Sequence, residues 1–188
     1  MEKIFLSANA LTIDSFQLAQ KVHESGFHPN LIIGVLRGGA PISIAMHEYF
    51  SYQGVKTKHQ SVQCTSYSGI GVQSATIDVE GTDKITDGIG PDDKLLIVDD
   101  VFDTGRSMQI ILALIDASFQ RNHTEGKKPD IRVATVWFKP ENNLTDLKPN
   151  YFLHTTDKWL VFPHELEGLS RSEIAAHKPE ISDILNTD

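Results

Sequence analysis

The 188-residue chain has a single cysteine, so Cys64 has no partner for an intrachain disulfide. That usage fits a reducing, cytoplasmic compartment. Cys64 lacks a CxxC neighbour and reads as a small, partly buried hydrophobe. The eight histidines form no HExxH or other close metal-ligand pattern, which argues against a structural zinc site. No apolar run reaches membrane-spanning length, and Met1 to Phe16 lacks the basic start and unbroken apolar stretch of a signal peptide. Basic residues are in deficit: 17 Lys and Arg against 25 Asp and Glu leave a formal net charge of −8. A broad nucleic-acid face needs the opposite balance. Neither a membrane nor a nucleic acid is therefore expected as a partner. The rest is ordinary for a globular protein, with 40% hydrophobic and 22% charged residues and enough chain for one domain with a sizeable core.

Apolar periodicity alternates between helix and strand. Phe16, Ala19 and Val22 repeat at helical spacing, predicting a helix over 12–24 that stops at Gly26. Leu31 to Leu36 is a continuous apolar run, as in a strand buried on both faces. Pro41 suits a first helical turn, and Ile42, Ala45, Met46, Tyr49 and Phe50 share one face of the helix it opens. A more polar strand is expected over 55–64, and Ile77 to Glu80 alternates like an exposed strand. The run from Leu95 starts a second buried strand, and Ile131 to Phe138 a third, closed by Lys139-Pro140. Residues 141–169 are less regular and are expected to form a small cap. Ser170 and Glu173 make a capping box for a helix through Ala176. The expected fold class is α/β, a doubly wound, mainly parallel sheet with a small cap or hood subdomain. Ligands on such sheets bind beyond the carboxyl ends of the strands. Residues 37–39, 99–107 and 139 all fall there.

The most informative segment is Leu95-Leu96-Ile97-Val98-Asp99-Asp100-Val101-Phe102-Asp103-Thr104-Gly105-Arg106-Ser107. An apolar strand ends in two adjacent carboxylates. A third acid and a small hydroxyl-and-glycine turn then lead into a helix striped by Met108, Ile111, Leu112, Ile115 and Phe119 and ending near Asn122. Paired acids at a strand tip suit the vicinal hydroxyls of a ribose. First-turn amides and the helix dipole suit a phosphate. The pattern points to a sugar-phosphate site. An ordinary helix cap would explain Asp103 or Thr104 but not Asp99 and Asp100. Receiver domains carry a similar acidic strand, but near the domain start. Aspartic proteases share the Asp-Thr-Gly, but they are all-β.

This segment resembles the phosphoribosyl pyrophosphate (PRPP) signature of type I phosphoribosyltransferases, and the wider chain is similar to the purine members of that family. The resemblance runs from about Leu31 to Glu165. Leu36-Arg37-Gly38-Gly39 is similar to their pyrophosphate loop, with Arg37 where lysine is common. Thr65-Ser66-Tyr67-Ser68-Gly69 is similar to the start of their mobile loop, represented by Ser66 and Tyr67, with Gly69 and Gly71 permitting motion. Lys139 matches a lysine that donates to purine O6. In Asp157-Lys158-Trp159-Leu160-Val161-Phe162-Pro163-His164-Glu165, Trp159 matches a base-stacking aromatic, Leu160 a residue offering backbone groups, and Glu165 a following acid. His164 stands where some relatives carry tryptophan, and Ser107 where threonine is common.

The resemblance implies transfer of the 5-phosphoribosyl group from PRPP to a 6-oxopurine (hypoxanthine, guanine or xanthine), giving a purine nucleoside 5′-monophosphate and pyrophosphate. Residues 1–188 would form a single phosphoribosyltransferase domain, with 141–169 contributing to a base-binding cap. Asp103 would be the catalytic acid/base. Arg37, Gly38, Gly39, Asp99, Asp100, Thr104, Gly105, Arg106 and Ser107 would bind PRPP, and Lys139, Trp159, Leu160 and Glu165 the purine. Mg2+ is the implied cofactor, held near Asp99, Asp100 and Glu165, directly or through water or substrate. It would also reconcile an acidic chain with a polyanionic substrate. A homo-oligomer, dimer or tetramer, is implied as well. Three alternatives remain: the same transfer to another base such as uracil or adenine, a non-catalytic PRPP-sensing regulator, and a metal-dependent hydrolase using the acidic pair.

Overall fold

The computed structural model describes residues 2–67, 76–81, 88–122 and 127–185. Its strands are β1 (Lys3–Phe5), β2 (Leu31–Leu36), β3 (Lys58–Tyr67), β4 (Thr76–Glu80), β5 (Lys94–Phe102), β6 (Asp130–Phe138), β7 (Tyr151–Thr155) and β8 (Trp159–Val161). Its helices are α1 (Ala8–Glu24), α2 (Gly39–Tyr52), α3 (Arg106–Asn122), α4 (Arg171–His177) and α5 (Pro179–Leu185). The chain divides into two compact units, 12–157 and the pair of segments 1–11 and 158–188.

The larger unit is built on a six-stranded sheet in the order β4-β3-β2-β5-β6-β7. The β3–β4 pair is antiparallel and the other neighbours are parallel. The three apolar runs become the adjacent strands β2, β5 and β6, because parallel strands covered on both faces need apolar side chains in both directions. Ile33, Val35, Ile97 and Val133 point into one core cluster with Met108, Ile111, Ile115 and Phe119 of α3. Gly34 faces the other way, against α2, where a Cβ would collide with Ser43 Oγ. Helices thus cover both faces, as a doubly wound sheet requires.

Strand order also locates the functional crevice. From β2 the chain passes through α2 to β3 on one side, and from β5 through α3 to β6 on the other. The direction of winding reverses between the neighbours β2 and β5. Beyond the carboxyl ends of two such strands the connecting helices diverge, which opens a crevice.

In the smaller unit β1 pairs in parallel with β8, from Lys3 opposite Trp159 to Phe5 opposite Val161. The Phe5 ring stacks on His177 at 3.7 Å, and Lys3 Nζ donates to Glu173 Oε1 at 2.7 Å. The Ser170–Glu173 capping box forms as expected.

Several element boundaries differ from the sequence expectation. Residues 141–169 do not form one cap: β7 extends the main sheet, whereas β8 belongs with β1. Helix α1 starts at Ala8 rather than Thr12, because Ser7 Oγ accepts the Ala10 N–H at 3.1 Å and so caps an earlier turn. The strand expected over 55–64 lies at Lys58–Tyr67, set by pairing of Leu31 with Lys58.

Candidate active site

Two loops face each other across the reversal point between β2 and β5. The first follows β2. The Leu36–Arg37 peptide is cis, and Gly38 precedes the first turn of α2. A Cβ on Gly38 would collide with the Asp100 carboxylate. One on Gly39 would collide with the Val98 carbonyl and lie 3.0 Å from Asp99 Cα. Close approach to the acidic strand end, and not a left-handed φ, is therefore what requires glycine at these two positions. Arg37 is exposed at the start of this turn.

The acidic pair follows the apolar run Leu95–Val98 of β5, two residues before the strand ends at buried Phe102. Asp99 Oδ1 accepts the Asp100 N–H at 2.9 Å, and Asp100 Oδ1 accepts the Val101 N–H at 2.7 Å. Asp100 is buried beneath Gly38. Desolvation pushes the Asp99 carboxyl well above the ordinary carboxylate range, and the Asp100 charge pushes it the same way. Two adjacent acids that resist joint ionisation are chemically suited to a cation or to hydroxyl donors.

After β5 comes the turn Asp103–Gly105. Gly105 has φ +77°, and a Cβ there would collide with Thr145 Oγ1 and lie 2.9 Å from both Asn143 Oδ1 and the Phe102 ring. Here glycine is required twice over, by conformation and by contact. The segment behind it closes on itself, because Asn143 Oδ1 accepts the Thr145 N–H at 3.0 Å. The Leu144 N–H also donates to the Thr104 carbonyl at 3.0 Å. This bracing by Asn143 and Thr145 was not anticipated; an Asn-x-Thr turn was the only signal. Beyond the turn, Arg106 and Ser107 open α3, where first-turn amides lack helical partners.

Lys139 stands one residue past β6 and is buried. Its Nζ donates to Asp103 Oδ2 at 2.9 Å, and Asn142 Nδ2 donates to Asp103 Oδ1 at 3.0 Å. Both oxygens of the expected acid/base are therefore held. Asn142 carried no sequence signal.

The remaining expected residues lie on the smaller unit. Trp159 is 50% exposed, which rules out core packing as its main role. Leu160 beside it is buried. Glu165 Oε2 accepts the Phe162 N–H at 2.9 Å, so this carboxylate braces its own turn. Lys178, overlooked in the sequence, donates from Nζ to the Phe162, Pro163 and Glu165 carbonyls at 2.7, 3.0 and 2.6 Å. Ser66 and Tyr67 end β3 at its carboxyl edge, while Ser68, Gly69 and Gly71 of the expected mobile loop lie outside the described residues.

Arg37 to Gly39, Asp99 to Ser107 and Lys139 thus share one edge of the large sheet. Trp159, Leu160 and Glu165 share one strand and turn of the other unit. Residues 3–170 match the phosphoribosyl transferase domain model. The chain belongs to the phosphoribosyltransferase family. The expected enzyme class, a transferase, is borne out with it. The hypoxanthine-guanine phosphoribosyltransferase of Lactococcus lactis is 27% identical over 159 residues, covering 80% of this chain and 75% of that protein. A purine phosphoribosyltransferase from Pyrococcus horikoshii superposes with a TM-score of 0.70 at 24% identity, covering 90% of this chain and 98% of the other. The Helicobacter pylori xanthine-guanine-hypoxanthine enzyme superposes at 0.67 with 19% identity, covering 94% of this chain and 100% of the other. These neighbours bear out the α/β class with its mainly parallel sheet. None of the described helices of this phosphoribosyltransferase is long and apolar enough to cross a membrane.

Proposed function

We propose that this phosphoribosyltransferase moves the phosphoribosyl group of PRPP onto a 6-oxopurine. The observation that carries the reading is the acidic pair packed on a glycine loop at the point where the sheet reverses its winding, one turn ahead of a helix N-terminus. The relatives named for purine enzymes support the choice of base.

In the reaction the bond between ribose C1 and a pyrophosphate oxygen breaks, and a bond from C1 to a purine nitrogen forms. Pyrophosphate leaves with the electron pair, so the ribose passes through an oxocarbenium-like state. Catalysis then depends on stabilising the leaving anion and holding the purine in line. Arg37 and the Gly38 and Gly39 amides would bind pyrophosphate. Asp99 and Asp100 would engage the ribose hydroxyls, and Thr104 to Ser107 would cradle the 5′-phosphate. Asp103 would take the proton from purine N7 as the bond to C1 forms, and return it in the reverse direction. Lys139 would donate to the O6 carbonyl, and Trp159 would stack on the base.

The donor set fits Mg2+ in a particular way. Among the described residues no group of three or more His, Cys, Asp or Glu is arranged to hold a metal by itself. Asp99 and Asp100 supply hard oxygen ligands, and Mg2+ typically binds through one or two carboxylates plus substrate phosphates. When bound, the ion would offset negative charge on the pyrophosphate.

A nucleotide-formation assay with PRPP, Mg2+ and a panel of free bases tests the proposal. Products from hypoxanthine, guanine or xanthine are expected, with adenine and uracil barely used. Equal use of adenine would overturn the oxopurine assignment. Phosphate release without a base acceptor would favour the hydrolase. Dimer or tetramer assembly and a cytoplasmic setting belong to the same proposal, and sedimentation of the purified chain tests the assembly.

A further inference from the structure

We infer that Lys178 is the positioning residue for the base-contacting segment of this phosphoribosyltransferase. The inference rests on the purine reading above and adds a residue to it. Lys178 lies between α4 and α5, outside every motif that carries the family resemblance. Its ammonium has three donors. All three are used on one turn, at the carbonyls of Phe162, Pro163 and Glu165. The residue is buried, so these are charge-assisted bonds with little exposure to water on the lysine side.

The turn is also closed from inside. Glu165 N–H donates to the Phe162 carbonyl at 3.1 Å, and the Phe162 N–H returns to Glu165 Oε2 at 2.9 Å. Internal bonds fix the shape of residues 162–165, whereas Lys178 ties that shape to the helical pair. Its own backbone is held at both ends. Lys178 N–H donates to Ile174 O at 2.7 Å, and Lys178 O accepts from Ile181 and Ser182 at 3.0 and 2.9 Å.

The turn directly continues β8, which presents half-exposed Trp159 and buried Leu160. A stacking surface gains affinity when its geometry is set before the ligand arrives, because less ordering then opposes binding. Without the ammonium, the Pro163 and Glu165 carbonyls would lose this donor and the Phe162 carbonyl would keep only the Glu165 N–H, so the turn should loosen toward water. The damage should reach the base and spare the phosphate loops, which are carried by other strands.

Lys178→Met keeps the length of the side chain and removes the donors, and Lys178→Arg restores charge and donors. Amide hydrogen exchange over 160–165 and the KM values for purine and PRPP are measured on both. Lys178→Met should speed exchange in that segment at least about tenfold and raise the purine KM by about tenfold, with PRPP KM and kcat within about twofold. Lys178→Arg should recover part of both effects. If Lys178→Met does not fold, Lys178→Arg alone carries the test: local exchange and purine KM must rise together, ahead of PRPP KM. Unchanged exchange at 160–165, or equal losses for purine and PRPP, would overturn the inference. Exchange needs no turnover, so a chain without oxopurine activity but with loosened 160–165 would refute the purine reading and leave the bracing role standing.

Discussion

Lys139 Nζ donates to Asp103 Oδ2 across 2.9 Å, so the cation expected to read the purine already holds the carboxylate expected to move its proton. The two residues are 36 positions apart and follow adjacent strands, β5 and β6. An ammonium has three donors, so one can stay on Asp103 while another turns to a carbonyl oxygen. On the proposed reading, recognition of the base and proton transfer would be coupled through this one ion pair.

Asp103→Asn should lower kcat by roughly 10²–10⁴-fold, the usual scale of general acid–base catalysis. Asn is nearly isosteric and still accepts from Lys139, so PRPP affinity and thermal stability should change little. Steady-state kinetics, PRPP calorimetry and a melting curve on the same variant check this. A near-normal kcat would leave Asp103 only as the structural partner of Lys139 and Asn142.

Lys139→Met should reduce kcat/KM for oxopurines by about tenfold or more, since a site built to donate to a carbonyl discriminates strongly. It should also couple to Asp103. In a double-mutant cycle with Asp103→Asn, the two losses should fall clearly short of adding, because each single change already removes one of the two charges of the shared ion pair. Full additivity would mean that the ion pair has no part in turnover.

The two glycines of the β2 loop should fail differently when replaced by alanine. On Gly38 the new methyl meets a side chain, the Asp100 carboxylate, which can rotate. On Gly39 it meets the Val98 carbonyl and Asp99 Cα, which are backbone. Gly39→Ala should therefore destabilise the fold by about 1–3 kcal/mol, the range for overpacking. Gly38→Ala should cost less stability but weaken pyrophosphate and PRPP binding by moving the acidic pair. Chemical denaturation and ligand titration separate the two.

Divalent metal removal should abolish transfer, and PRPP binding measured by calorimetry should weaken in excess chelator. Mg2+ should restore both. Robust turnover without divalent ions would remove Asp99 and Asp100 from any metal-binding role.

Glu173 gives an acid-range prediction in the smaller unit. The Lys3 ammonium first, then the Ser170 amide and hydroxyl, lower its carboxyl from 4.5 to about 2. A depressed folded value means that the unfolded chain takes the proton more readily. The contribution is therefore complete above about pH 4.5 and is lost as pH falls toward about 2. A carboxyl NMR titration should show Glu173 ionised at pH 3.5, and Lys3→Met should move its midpoint upward. Salt should do the same to a smaller degree, because the group is accessible to solvent.

Much of the large unit was legible in the sequence because its signals are local. Leu31–Leu36, Leu95–Val98 and Ile131–Phe138 are apolar runs bounded by turn residues, and a strand covered on both faces leaves that trace. The Asp99–Ser107 segment carried its chemistry in consecutive residues. By contrast, Lys3–Phe5 and Trp159–Val161 are three-residue strands more than 150 positions apart, too short for a period to show. Tyr151–Thr155 was absorbed into an expected cap for the same reason. Lys178 had no pattern around it that would distinguish it from a solvated lysine.

The sequence alone determined the fold class and the family and marked the turn proposed to bind phosphate, since apolar period and a contiguous motif need no knowledge of distant neighbours. Tertiary structure alone decided which groups meet. It set Gly38 on Asp100, Lys139 on Asp103, Asn143 and Thr145 behind Gly105, and Lys178 beneath the turn that follows Trp159. The reason is physical: hydrogen bonds and contact distances depend on strand order and register, which bring together residues that composition and spacing leave unrelated.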